Sequence, residues 1–332
     1  MSMSPAAGLR HDAPTSRPPT AAPAIPPTRG RRGGLSRLGT IAIFLAPALV
    51  LFLLLVIAPI VIAGYASVFR WNGFGLPEEF IGLDNFTRAF GDPVFRGDLW
   101  RGAVLIGLSL VIQLPVSLGL AMLLNQPLRG RSLYRVVFFA PYVLSEVTTA
   151  VLFTLVLSPN RGLGDTLSGW LGVDVGGAVF ADPDTVLFAL FLVVSWKYFG
   201  FHMILYLSGR QNIPQELTEA ATTDGASTWQ VFRYVTLPLL GPTIRISVFL
   251  SVIGTIQLFD MVWVLTGGGP IHASETMAVT MYQYGFRRFE VGYASAISIV
   301  MFLLSLVFAL LYQRFVMRRD VEGAITTRGV QR

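Results

Sequence analysis

The chain has no cysteine. That absence excludes a disulfide scaffold, a thiol nucleophile and any cysteine-ligated metal. Its three histidines, His11, His202 and His272, stand far apart, which argues against a His-rich metal site. Lysine occurs once, at Lys197, with no Gly-rich turn before it. A P-loop needs such a lysine on the phosphates, so this chain is not expected to hydrolyse ATP. Charge of either sign is scarce, 13% of the 332 residues, against roughly 25% in an ordinary soluble domain. Hydrophobic residues make up 53%, which excludes a disordered chain. So few charges cannot cover a water-soluble surface. The class that remains is an all-α integral membrane protein.

What is present in quantity is apolar sequence in long runs. A helix crossing the bilayer needs about 20 mostly apolar residues, because only a helix satisfies its own backbone where water is absent. Leu38–Phe69, Gly102–Leu128 and Val291–Gln313 carry no charge. Val136–Asn160, Thr185–Gly209 and Ile246–Ser274 carry one each, at Glu146, Lys197 and Asp260. These runs predict six transmembrane helices near 40–66, 102–125, 136–158, 186–208, 245–266 and 291–313. Pro47, Pro59, Pro115 and Pro141 lie within them and predict kinks.

Arginine sets the orientation. With the N-terminus in the cytoplasm, 17 arginines fall inside and 7 outside. Both termini are therefore expected in the cytoplasm, and nucleic-acid binding is a poor explanation of the +6 net charge. Residues 1–37, rich in Pro, Ala, Thr and Arg, read as a disordered cytoplasmic tail. The six-span domain covers 38–316 and a second tail covers 317–332. The first apolar run far exceeds the h-region of a signal peptide, so it is expected to stay as an anchor. Outside the membrane, Phe80–Phe86 reads as the start of a short helix with Asp84 as its cap, and Gly267–Gly268–Gly269–Pro270 as a flexible exit from the fifth span.

The long inside loop, 210–243, is the most informative segment. Asn212 suits a cap and Pro214 a first helical turn. Gly225 suits a positive φ that ends the helix, and Ser227 caps a second helix that Pro238 stops. Ala220 and Ala221 make a face without bulk, flanked by Glu219 and Asp224, against which another protein's backbone can approach closely. On composition alone an interfacial loop whose alanines merely favour helix fits equally well.

At this point a resemblance enters. Glu219–Ala220–Ala221, three residues, Gly225, nine residues, Val235, then Leu237–Pro238 resembles the EAA signature of binding-protein-dependent ABC importer permeases. Val235 stands where that signature prefers Ile. Asp224, Ala226, Phe232 and Pro242 resemble its carbohydrate branch, as do Phe259–Pro270, Glu275–Thr276 and Gly292–Ala296. The resemblance implies a type I ABC importer permease fold with a cytoplasmic coupling helix, in the bacterial plasma membrane. It implies a second six-span permease, two cytoplasmic ATPases that bind ATP and Mg, an extracellular solute-binding protein, and a sugar as cargo. No cofactor is expected on this chain. Glu219, Ala220, Ala221, Asp224, Gly225, Ala226, Leu237 and Pro238 would couple to the ATPase.

Charges inside a bilayer usually face a cavity or a partner. Glu146 and Asp260, with Tyr198, Gln257 and Trp263 as polar-aromatic neighbours, are the expected substrate-pathway residues. Structural pairing is the alternative for both carboxylates, and Lys197 is expected to snorkel or to pair internally. A self-sufficient secondary transporter is the competing function. It would need its own coupling-ion site and usually inverted repeats, and neither is visible.

Overall fold

The computed structural model describes residues 37–157, 169–170 and 178–317. The expected tails, 1–36 and 318–332, lie outside the described residues. The chain divides into two units, Met1–Leu53 and Leu54–Arg332. In the first, the helix Arg37–Phe52 carries exposed apolar side chains such as Phe44 and Leu51. Such a surface suits contact with lipid tails, which are as apolar as it is.

Four helical stretches are long and apolar enough to cross a membrane: Phe44–Ala66, Pro93–Asn125, Val186–Gln211 and Val291–Met317. Two bent pairs, Arg131–Val143 with Glu146–Val156 and Thr228–Leu239 with Gly241–Ile256, raise the number to six if each pair counts as one span. The prolines explain part of the geometry. Pro59, Pro115 and Pro238 each follow a π-turn, at Leu53–Ile57, Ser109–Gln113 and Phe232–Thr236. A proline ring clashes with the carbonyl four residues back. In each case that carbonyl lies in the π-turn, whose wider coil moves it aside.

The third apolar run departs from an unbroken helix. It bends by 100° between Val143 and Glu146. Pro141 lies just ahead, Leu144 is extended, and Ser145 caps the next helix by accepting a hydrogen bond from the Thr148 N–H at 3.0 Å. The fifth run is also discontinuous: Gly241–Ile256 ends, and Asp260–Leu265 begins a separate short helix.

In the second unit, Val186–Gln211 is the central helix, with Leu190, Val193, Met203 and Tyr206 buried. Gly200 lets it cross Arg131–Val143 closely, for a Cβ there would stand 1.9 Å from the Phe138 carbonyl oxygen. Elsewhere in this unit, Phe69–Arg70 pairs antiparallel with Glu79–Phe80. Buried Asn85 donates to the carbonyls of Ser67 and Phe69 at 2.8 and 3.0 Å. Asp84, expected to cap a helix, is instead the first residue of Asp84–Gly91 and makes no cap bond; Asp92 caps the following helix through the Val94 N–H. The Gly267–Pro270 segment is a bonded turn rather than a flexible exit. Ser274 Oγ donates to the Gly269 carbonyl at 2.5 Å, and Gln283 Nε2 to that of Gly267 at 3.3 Å.

Candidate functional site

The break at Leu144–Ser145 builds the first candidate site. Ending a helix inside an apolar layer leaves carbonyls without partners. Lys197 Nζ supplies donors to two of them, the Leu144 carbonyl and, at 3.4 Å, that of Tyr142. The lysine thus serves the broken backbone and forms no ion pair among the described residues. Ser145 then starts Glu146–Val156, which places Glu146 in a first helical turn, where the helix dipole favours a carboxylate. Tyr198 donates its hydroxyl to Glu146 Oε1.

Beside this break lies a cavity of about 360 Å³. Glu146, Tyr198, Gln257 and Asp260 all line it. They come from three separate stretches of chain. The gap in the fifth run, between Ile256 and Asp260, opens the wall that Gln257 and Asp260 occupy. Trp263 does not line the cavity. It stands one helical turn beyond, stacked on the lining residue Phe259 with ring centroids 6.1 Å apart, and against Tyr282 at 4.7 Å. Among the lining residues without a signal in the sequence are five polar or aromatic ones, Gln113, Tyr142, Phe201, His202 and Ser251. Tyr142 and Phe201 stack at 4.8 Å. His202 Nδ1 and Ser247 Oγ share a hydrogen bond of 2.7 Å. Only convergence in space marks these five, since each alone resembles an ordinary residue of an apolar helix.

The second candidate site is the inside loop. Gln215–Thr223 is an exposed helix. It starts after Pro214, which precedes its first turn, while Asn212 closes the preceding helix instead of capping this one. Its end is a Schellman turn. Gly225 has φ +87°, its N–H donates to Thr222 at 3.0 Å, and the Ala226 N–H donates to Ala221 at 3.0 Å. Ser227 and Gln230 form a reciprocal capping box that starts the next turn. Glu219, Ala220, Asp224 and Gly225 are exposed; Ala221, Ala226 and Leu237 are half-buried; Pro238 is exposed. The result is a short rigid knob with a small-residue face turned outward.

Residues 113–321 match the family model described as the binding-protein-dependent transport system inner membrane component. The chain belongs to that family. This inner membrane component is 36% identical over 276 residues to the probable ABC transporter permease protein YurN of Bacillus subtilis, covering 82% of this chain and 94% of that one. It is 33% identical over 275 residues to the lactose transport system permease protein LacF of Rhizobium radiobacter, covering 81% and 91%. Among solved structures it resembles a chain of a bacterial ABC transporter involved in import of the acidic polysaccharide alginate. The identity there is 25% and the TM-score 0.74, over 84% of this chain and 95% of that one. The inner membrane component is thus a multi-pass membrane protein with the fold of ABC importer permeases.

Proposed function

We propose that the chain is one half of the membrane pathway of an ATP-driven sugar importer. A second six-span permease would supply the other half, an extracellular binding protein the sugar, and two cytoplasmic ATPases, holding ATP and Mg, the energy. The observation that carries this reading is the exposed knob at Gln215–Ala226, a helix locked at its end by Gly225 and presenting Ala220 beside Glu219. A fixed small-residue face is suited to seat in a groove of another protein. The carbohydrate cargo rests on the cargo of relatives such as the lactose transport system permease protein LacF and on a cavity with hydrogen-bonding side chains beside aromatic faces, the mixture a sugar ring needs.

Force applied to the knob passes into Thr228–Leu239 and, through the 66° bend, into Gly241–Ile256, whose far end is capped by Gln257 and leads, across the gap, to Asp260. Closing the ATPases on the knob would therefore tilt a wall of the cavity. Ala221→Glu and Gly225→Val test this. The first adds bulk and charge to the docking face, and the second a β-branched side chain at a positive φ. Both variants are expected in the membrane with the ATPase no longer co-purifying and sugar-stimulated ATP hydrolysis abolished. Retained docking and stimulation in both would overturn the coupling role. The orientation is tested by reporters: one fused after Arg332 should lie in the cytoplasm, and one inserted at Asp174 outside.

A further inference from the structure

We infer that the cavity beside the broken third span admits uncharged or cationic sugars and rejects anionic ones, an inference that rests on the sugar-importer reading. Two charged side chains line the cavity, and both are carboxylates, Glu146 and Asp260. Among the described residues, Lys197 is a cation close to Glu146. It is buried, does not line the cavity, and spends its donors on the Tyr142 and Leu144 carbonyls. Its charge offsets part of Glu146 but is not presented to cargo. His202 lines the wall with Nδ1 already bonded to Ser247. Arg287 lies 6.0 Å over the Trp263 ring, beyond the lining. A sugar in the cavity therefore meets acceptors of negative charge and the donors of its own hydroxyls satisfy them.

The same arrangement penalises a uronate. Its carboxylate would leave water for an apolar layer and face two like charges, with no cation among this chain's described lining residues to pair with. An ammonium on the sugar would meet the reverse. The other polar lining groups carry no charge to alter this balance: Tyr198 already donates to Glu146, Thr255 donates to the Ser251 carbonyl, Ser251 shares a hydrogen bond with Ser109, the Tyr142 hydroxyl is neutral, and Gln113 and Gln257 each offer both a donor and an acceptor. Aromatic rings continue outward from the cavity: Phe259 packs on Tyr282 at 5.2 Å, and Tyr282 stacks on exposed Phe286 at 5.2 Å. Such faces bind the C–H side of any pyranose and add no preference for charge. Discrimination by charge thus falls to Glu146 and Asp260. The resemblance to an importer of an acidic polysaccharide makes this a distinction within the fold rather than a property of it.

The experiment is saturation-transfer NMR on the assembled permease–ATPase complex without the binding protein, so that only the membrane cavity selects. The ligands are methyl glycosides of glucose, galactose and mannose, each as the neutral sugar, the uronate and the 2-amino sugar. The neutral and amino forms should bind at least about tenfold more tightly than the matching uronate. In the Glu146→Gln, Asp260→Asn double variant that gap should close, and each single variant should close part of it. Equal binding of uronates by the unaltered complex would overturn the inference and leave the sugar reading intact. A gap that the variants do not change would overturn the assignment to these two carboxylates. Binding of none of the nine glycosides would sink the sugar reading itself, and this inference with it.

Discussion

Two clusters of polar side chains sit among the apolar helices, and they are built to opposite ends. The first gathers Asp98, Arg101, Glu275 and Thr280, with His272 at its rim. Asp98 and Glu275 are 1% and 2% exposed, yet every charge there is met. Arg101 donates to Asp98 at 2.5 Å and to the Glu275 carbonyl at 2.8 Å. Thr280 Oγ1 stands 2.5 Å from Asp98 Oδ2 and 3.0 Å from Glu275 Oε1, and His272 Nδ1 meets Glu275 Oε2. The second cluster, around Glu146 and Asp260, also holds two carboxylates, but Asp260 is exposed to the cavity and the cation beside Glu146 among the described residues, Lys197, serves the backbone. A sealed cluster with its own cation holds helices together. An open cluster without one has hydrogen-bonding capacity left for something else. Two carboxylate pairs in one chain therefore have different work to do, and the burial and partners of each tell them apart.

The sharpest way to break this contrast is Arg101→Met. Removing one member of a buried ion pair leaves the other charge without a partner, and such a change costs about 3 kcal/mol or more. The variant is expected to unfold at a clearly lower temperature in detergent and to accumulate poorly. A melting temperature equal to that of the unaltered protein would mean that the sealed cluster holds nothing together.

How much of this was readable beforehand depends on how far apart the contributing residues lie. The coupling knob is local. Gly225 and Ser227 act on backbone within a few residues of themselves, so their spacing alone announces a helix, a turn and a second helix; Pro238 does not stop that second helix, which runs on to Leu239 because the π-turn Phe232–Thr236 accommodates the ring. The third span was not readable, because hydropathy runs unbroken from Val136 to Asn160 while the break at Leu144 depends on Lys197, 53 residues away, to satisfy the freed carbonyl. Asp98 lies ahead of the second apolar run, and its site is not local either. Its arginine is local, but the hydroxyl that completes its site is Thr280, 182 residues on. Tyr142 and Phe201 meet only because Gly200 permits the close crossing of their helices.

Lys197→Met probes the boundary between the two kinds of cluster. It deletes the donor to the Tyr142 and Leu144 carbonyls and leaves volume nearly unchanged. Leaving carbonyls inside the apolar layer without that donor costs about 1–3 kcal/mol. Thermal unfolding should register the loss, at a smaller shift than Arg101→Met. If the melting temperature holds and only sugar binding disappears, the lysine is part of the cargo site, and the cavity is less acidic than its lining suggests.

The mildest change, Tyr198→Phe, asks whether the open cluster is open in energy as well as in shape. The hydroxyl that reaches Glu146 is deleted and the ring, half-buried against Tyr142 at 6.0 Å, remains. In a sealed site, losing a hydrogen bond to a carboxylate costs about 1.5–3 kcal/mol. Here Glu146 borders a cavity, where water or cargo can take the hydroxyl's place, and its helix terminus still favours the charge. The expected loss of stability is therefore below about 1 kcal/mol, within a degree or two of the unaltered melting temperature for a chain of this size. Sugar binding should weaken more than stability does, because Glu146 loses the group that fixes its orientation. A loss of stability as large as that of Lys197→Met would show that Tyr198 and Glu146 form a structural pair. The cavity would then have Asp260 alone to offer its cargo.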